Sequence, residues 1–279
     1  MKFGYTFDNG LIYHHTFEMN PVQDNFVTHT HEHCELYLFL SGSGSYMIEG
    51  VEYKLTPGDI LITRAAESHF FKLTDNLPYE RIVINFNKSL FDILDPNGLL
   101  SVPFENRELG RDNLYNKYSI NKSVIDNFIK NMISLEQKRA NKIEAKLVIN
   151  INLLQILDEI RKAFFRKDEI ATDKADDLIV KIVNYINTNL TEKLTIESLA
   201  DKFYISKSYL TTKFKLVTGL TVWQYITTKR LYLAKKLIKE GYSVHRAAID
   251  FGFNDYSTFY RRYIELFGVT PKSDKRILQ

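Results

Sequence analysis

SLADKFYISKSYLTTKFKLVTGLTVWQYI, residues 198–226, and AAIDFGFNDYSTFYRRYIELFGVTP, residues 247–271, carry one pattern written twice. Leu210, Phe214, Gly219 and Thr221 in the first are echoed, at one constant interval, by Phe259, Tyr263, Gly268 and Thr270 in the second. Each copy reads as a short helix, a turn, a second helix and then Gly-apolar-Thr, which makes two helix-turn-helix units in tandem. Between them Thr221 is a good N-cap and Gly241 a left-handed C-cap, so 222–240 reads as one helix. At 1.5 Å per residue it is a rod of roughly 28 Å. One turn of duplex DNA is about 34–36 Å, so such a rod can hold two helices in successive major grooves on one side of a double helix.

The two runs, with RLYLAKKLI at 230–238 between them, resemble the DNA-binding domain of the AraC/XylS-type transcription regulators. The resemblance covers the C-terminal third of the chain. Two positions depart from it. The family closes with Pro-x-x-Tyr-Arg, whereas this chain runs Pro271-Lys272-Ser273-Asp274-Lys275, and Ala247 stands where the family favours Ile. The resemblance implies a sequence-specific DNA-binding transcription regulator, often an activator and then with RNA polymerase as partner.

In the first reading helix Leu210, Phe214 and Val217 fall at i, i+4, i+7 and face inward, leaving Lys207, Ser208, Thr211, Thr212 and Lys215 outward. In the second, Phe259 and Tyr263 face inward, and Tyr256, Ser257, Tyr260 and Arg261 face out. These outward residues are the candidate DNA contacts. The hydroxyls and methyls of Ser208, Thr211 and Thr212 suit bases, phosphates or thymine, and Arg261 suits a bidentate grip on guanine, worth about 1–3 kcal/mol of discrimination. Lys207 and Lys215 suit phosphates or plain solvation.

Charge supports the division. Beyond residue 174, Lys and Arg outnumber Asp and Glu by 17 to 10, while in the remainder they are outnumbered 20 to 24. A basic module joined to an acidic one is the footprint of a nucleic-acid reader attached to something else. Cys34 is the single cysteine, so no internal disulfide is possible. No apolar leader opens the chain and no run is long enough to span a membrane, so a soluble, cytoplasmic protein is expected.

The expected architecture is a multidomain α+β chain with three parts: 1–118 a cupin-like β-barrel, 119–172 a helical dimerisation and linker segment, and 173–279 the double helix-turn-helix domain. Short apolar or alternating runs at 11–13, 34–40, 45–48, 59–62, 69–73 and 81–86 are punctuated by Gly42, Gly44, Gly50, Pro57-Gly58 and Pro78, the mark of a sandwich or small barrel. HTHEHCELYLFLSGSG, VEYKLTPGDILI and ESHF in that order resemble the cupin sensor domain that precedes the DNA-binding part in many AraC-type regulators.

Strand alternation puts His29, His31, His33, Glu35 and Tyr37 on one face, with Cys34, Leu36, Leu38 and Leu40 on the other. With His69 and Arg81 these polar residues are the candidate effector contacts, Arg81 suiting a carboxylate or a hydroxyl-rich ligand, or equally an internal pair with Glu80 or Glu35. Resemblance to metal-binding cupins implies a second use for His29, His31, Glu35 and His69, with His33 as alternative ligand, namely a divalent transition ion. A wet strand entrance that binds nothing is the bland reading of the same residues. By resemblance the effector is a sugar or a related small molecule. Two rival readings of the whole chain stand beside this one: a metal-dependent cupin enzyme fused to a DNA-binding domain, and an architectural DNA binder without ligand.

Helices are expected at 123–139 and 142–166. In the second, Leu147, Ile151 and Leu154 make one apolar stripe and Ile149, Leu153, Ile156 and Ile160 another, so the helix needs two partners. The barrel is one; the same helix of a second copy is the other, making 142–166 the expected homodimer contact, with burial inside one subunit as the alternative. RKDEIATDKADD, 166–177, has the composition of an exposed linker.

Overall fold

Alternating apolar residues bounded by glycine and proline give strands β1 (Lys2–Thr6), β2 (Ile12–Glu18), β3 (Cys34–Ser41), β4 (Gly44–Ile48), β5 (Val51–Lys54), β6 (Ile60–Thr63), β7 (His69–Leu73), β8 (Tyr79–Phe86), β9 (Leu114–Tyr115) and β10 (Lys174–Ala175). Helical periodicity gives α1 (Val102–Glu105), α2 (Lys122–Lys138), α3 (Lys142–Arg166), α4 (Asp177–Thr188), α5 (Ile196–Lys202), α6 (Lys207–Thr218), α7 (Val222–Lys239), α8 (Val244–Asp250), α9 (Tyr256–Phe267) and α10 (Pro271–Lys275). The computed structural model describes residues 2–8, 10–91, 95–166, 174, 175, 177–253 and 255–275. The chain divides into two compact units, 1–175 and 176–279.

In the first unit, among the described residues, the strands form two antiparallel sheets ordered β1-β2-β8-β3-β6-β9 and β10-β5-β4-β7. The pleat of β3 divides its side chains. Cys34, Leu36 and Leu38 join Ile60, Ile62, Ile82 and Ile84 on the outer face, in one core with Phe128, Met132 and Leu135 of α2 and Ile149, Leu153, Ile156 and Ile160 of α3. Each buried Leu or Ile contributes about 1.5–3 kcal/mol. Glu35, Tyr37 and Phe39 face the other way, between the sheets. There Tyr37 packs on Tyr46 with ring centroids 4.7 Å apart, and Phe71 on Tyr79 at 4.8 Å.

Polar ties hold α2 and the loops to the barrel. Tyr13 donates to Glu136 Oε1 at 2.6 Å, and buried His15 bridges Glu136 and Glu80 at 2.9 Å each. Arg107 grips Glu67 with two bonds of 2.6 and 2.7 Å, both side chains fully buried, and Asn113 Nδ2 reaches the carbonyl of Ile62. This fixes the stretch 96–117, which carries little periodicity in sequence.

The helical pair that the sequence sets apart at 119–172 therefore shares its core with the barrel. On α3 the stripe Ile149, Leu153, Ile156, Ile160 is buried. Of the other stripe, Leu147 and Ile151 are 61 and 47 % exposed, while Leu154 is half-buried against the core; Ile143, one turn before Leu147, is exposed as well. Most of the charged stretch 166–177 lies outside the described residues; within it β10 pairs with β5, Lys174 opposite Glu52 and Ala175 opposite Val51. No helix among the described residues is long and apolar enough to cross a membrane.

In the second unit α7 is the axis. Leu231, Ala234 and Ile238 pack with Ala247, Ala248, Phe253, Phe259 and Tyr263 of the second helix-turn-helix copy. Arg230 donates to the carbonyls of Leu190 and Glu192 at 2.9 and 2.6 Å, tying the chain beyond α4 to α7.

Candidate functional site

Each unit holds one set of candidate site residues. In the barrel, β3 and β7 bring Glu35 and His69 inward, and the segment preceding β3 lays His29 and His31 over them. His29 pairs with His69 in an isolated antiparallel bridge. Each of these imidazoles is anchored at Nδ1 by a backbone carbonyl: His29 to Val27 at 3.0 Å, His31 to His33 at 2.9 Å, His69 to Glu67 at 2.8 Å. A carbonyl only accepts, so Nδ1 carries the proton in all three and Nε2 is left to face the others. His31 Nε2 stands 3.0 Å from Glu35 Oε2, and His69 Nε2 3.8 Å from Glu35 Oε1. One ligand atom from each of His29, His31, Glu35 and His69 lies within 4.8 Å of the rest.

The electrostatics follow from burial and from this crowding. Burial acts to raise the Glu35 carboxyl, but the imidazoles of His69, His31 and His29 outweigh it and hold Glu35 well below the usual carboxylate range. Burial pushes His69 down to about 3 against the pull of Glu35, keeping the ring neutral. For His31 burial is overcome by its bond to Glu35, which raises it. Three oriented ring nitrogens and a carboxylate suit a divalent transition ion, with ligand bonds of about 2.0–2.2 Å.

His33 stands apart from this group. The alternation read from sequence assumed a strand running from 29 to 37, but β3 begins at Cys34, and the segment before it is irregular. The His33 ring therefore turns toward Gly10 and Asn87, its Nε2 lying 3.2 Å from where a Gly10 Cβ would be, and its centroid is 6.3 Å from that of His31.

Tyr37 and Arg81 also face between the sheets. Tyr37 Oη is 2.8 Å from Tyr79 Oη, and the Arg81 guanidinium lies 5.8 and 5.7 Å from those two rings. Three inward residues were not singled out from sequence as site residues. Tyr46 donates to Glu35 Oε1 at 3.2 Å, Asn85 Nδ2 reaches Glu35 Oε2 at 3.4 Å, and Thr63 is the register partner of Glu35 on β6. Their only sequence signal was alternation on strands whose pairing sequence does not reveal.

On the outer side of β3 a cavity of about 450 Å³ is lined by Cys34, Phe86, Phe104 and Leu157, with Lys88 and Glu105 paired at 2.9 Å on its wall. Burial pushes the Cys34 thiol up to about 12, so it is a neutral thiol here.

In the second unit the reading helices are α6 and α9. Ser206 caps α6 by accepting from Tyr209 N, Asp255 caps α9 by accepting from Ser257 N and Thr258 N, and both helices end at a left-handed glycine, Gly219 at φ 74° and Gly268 at φ 68°. The caps and glycines are what place the two copies alike. Leu210, Phe214, Phe259 and Tyr263 are fully buried. Lys207, Ser208, Thr211, Thr212 and Lys215 on α6, and Tyr256, Ser257, Tyr260 and Arg261 on α9, are exposed.

Their engagements differ. Lys207 Nζ is paired with Glu197 Oε1 of α5 at 2.7 Å. Thr211 Oγ1 donates to the carbonyls of Lys207 and Ser208 at 2.9 and 3.1 Å, so it presents its methyl and a lone pair outward rather than a free hydroxyl proton. Arg262 pairs with Glu265 at 2.9 Å, whereas Arg261 has no ion pair among the described residues.

Residues 16–147 match the family of AraC-like ligand binding domains, and residues 199–276 match a helix-turn-helix domain family. The chain is 25 % identical over 247 residues to the HTH-type transcriptional activator RhaS of Citrobacter koseri, covering 86 % of this chain and 85 % of that one. It is 21 % identical over 252 residues to the HTH-type transcriptional activator RhaR of Salmonella dublin, covering 89 % and 86 %. Among solved structures, ToxT from Vibrio cholerae O395 is 15 % identical, covers 97 % of this chain and 98 % of that one, and superposes with a TM-score of 0.39.

Proposed function

Because this chain belongs to the AraC/XylS family of DNA-binding transcription regulators, we propose that it is an effector-responsive activator. A sugar or related small molecule held between the sheets of the barrel alters how two copies present their reading helices to DNA. What supports this most directly is the pair of capped helices with buried inner and polar outer faces on a helical axis of about 27 Å. Lys207, Ser208, Thr211, Thr212 and Lys215 serve the first groove, and Tyr256, Ser257, Tyr260 and Arg261 the second. Two copies joined along the exposed Ile143, Leu147 and Ile151 stripe bring four reading helices to one site, and RNA polymerase is then the partner of the bound activator. The protein acts where its DNA is, in the cytoplasm.

DNase footprinting tests this reading. Protection of two successive major grooves per copy, on one side of the duplex, is expected; protection of a single groove, or indifference to duplex DNA, overturns it.

A second reading of the barrel rests on the carbonyl-anchored imidazoles. His29, His31, Glu35 and His69 hold a divalent transition ion, which shapes the pocket as a resident ion rather than catalysing a reaction. Zinc titration of the purified protein checks this. His31→Ala is expected to lower affinity at least tenfold, whereas His33→Ala leaves it unchanged because that ring points elsewhere. Equal losses from both variants mean that the His-rich segment chelates nonspecifically.

A further inference from the structure

Burying a polar atom without a partner costs free energy, so such atoms mark places where water, an ion or another molecule is accommodated. Thr63 Oγ1, His69 Nε2, Arg81 Nε and Asn85 Oδ1 are buried without hydrogen-bond partners, and all four belong to side chains between the sheets. Their arrangement is set by strand register. Glu35 pairs with Thr63 on β6 and with Asn85 on β8, so the three stand abreast. Arg81 is the register partner of Phe39, two pleats further along β8, about 13 Å of strand from Asn85.

Arg81 is the unusual member. Among the described residues no carboxylate lies within ion-pair distance of its guanidinium, which has tyrosine rings on two sides. The contrast with Arg107, held by Glu67 at 2.6 Å, is plain. On the neighbouring strand β2, His14 has its pKa lowered first by burial and then by the charge of Arg81. A half-buried guanidinium without an acid takes one from solution. A guanidinium takes a carboxylate in a bidentate grip, and a monocarboxylate balances its single charge. At the other end the free atoms are the Thr63 hydroxyl, which donates or accepts, and Asn85 Oδ1, which accepts, and both suit the hydroxyls of a ligand.

We propose that the effector is a monoanionic hydroxy acid of sugar-acid size, its carboxylate on Arg81 and its hydroxyls against Thr63 and Asn85. This rests on the reading of the barrel as an effector site, and it separates that effector from neutral sugars. Arg81 is then the residue that decides specificity.

The test is calorimetric titration of the full chain with gluconate, glucuronate and galacturonate, each against its uncharged counterpart, namely glucose and the methyl esters of the two uronates. At least one acid is expected to bind ten times or more tighter than its counterpart, and Arg81→Gln to remove that difference while Arg81→Lys restores part of it. Equal binding of every acid and its uncharged counterpart overturns the proposal, as does acid binding unchanged in Arg81→Gln. If no acid binds, the proposal also falls, while footprinting on duplex DNA decides separately whether the regulator reading stands. The ester comparison uses the unaltered protein, so it holds even if an Arg81 variant fails to fold.

Discussion

The Tyr263 hydroxyl donates to Asp274 Oδ2 at 2.7 Å, and Lys235 Nζ lies 3.3 Å from the same oxygen. Asp274 stands where the resembled pattern closes with tyrosine, and it is buried. Its charge is balanced locally by Lys235 on α7, whose ammonium also lies 4.0 Å from the Phe267 ring centroid. Asp274→Ala leaves Lys235 buried without its acid and is expected to destabilise the second unit by about 3 kcal/mol. Urea denaturation followed by the fluorescence of Trp223, the single tryptophan and part of α7, reads that unit alone.

His15 gives the first unit a pH dependence. Burial acts to lower its pKa, but Glu136 and Glu80 outweigh burial and raise it. A pKa higher folded than unfolded means stabilisation that is complete below about 6.5, the unfolded value, and lost as pH rises through the folded value. Calorimetric melting of the wild type and of His15→Gln is expected to show a gap that is widest in mild acid and narrows toward alkaline pH. A gap independent of pH would mean that His15 acts by packing alone.

The two reading helices are expected to fail differently. Arg261→Ala is expected to cost about 1–3 kcal/mol at one base position and to relax preference there, because its guanidinium has no ion pair among the described residues. Lys215→Ala is expected to weaken all sequences alike and to reduce the slope of log affinity against log salt by about one. Binding measured on a set of single-base operator variants over a range of salt distinguishes them. Loss of both preference and slope in both variants contradicts the division.

Leu147 and Ile151 occupy the exposed stripe of α3, so acidic substitutions there spare the core. Leu147→Asp combined with Ile151→Asp is expected to convert the proposed dimer to monomer in sedimentation velocity without lowering the melting temperature of the first unit. An unchanged sedimentation coefficient places the subunit contact elsewhere.

The helical third was legible because its signals are local. Caps at Ser206, Thr221 and Asp255, glycines at 219 and 268, and inward residues four apart all act within a turn or two of where they are read. The barrel was legible as strands but not as a sheet. That β8 runs between β2 and β3 depends on contacts remote in sequence, and only that order sets Asn85 beside Glu35. The Glu67–Arg107 pair, at the heart of a stretch with little periodicity, was out of reach for the same reason. His33 shows the opposite limit. Alternation is a reliable guide only inside a strand, and two residues of irregular backbone before Cys34 were enough to swing that ring aside.

The division of β3 has a bearing on how a signal would leave the barrel. Glu35 and Tyr37 face between the sheets, while Leu36 and Leu38, their immediate neighbours in the chain, form part of the seat on which α3 rests. Pocket and seat are thus the two sides of one ribbon of backbone. A slight roll of that ribbon would tilt the helix proposed to carry the subunit seam, with no relay of intermediaries.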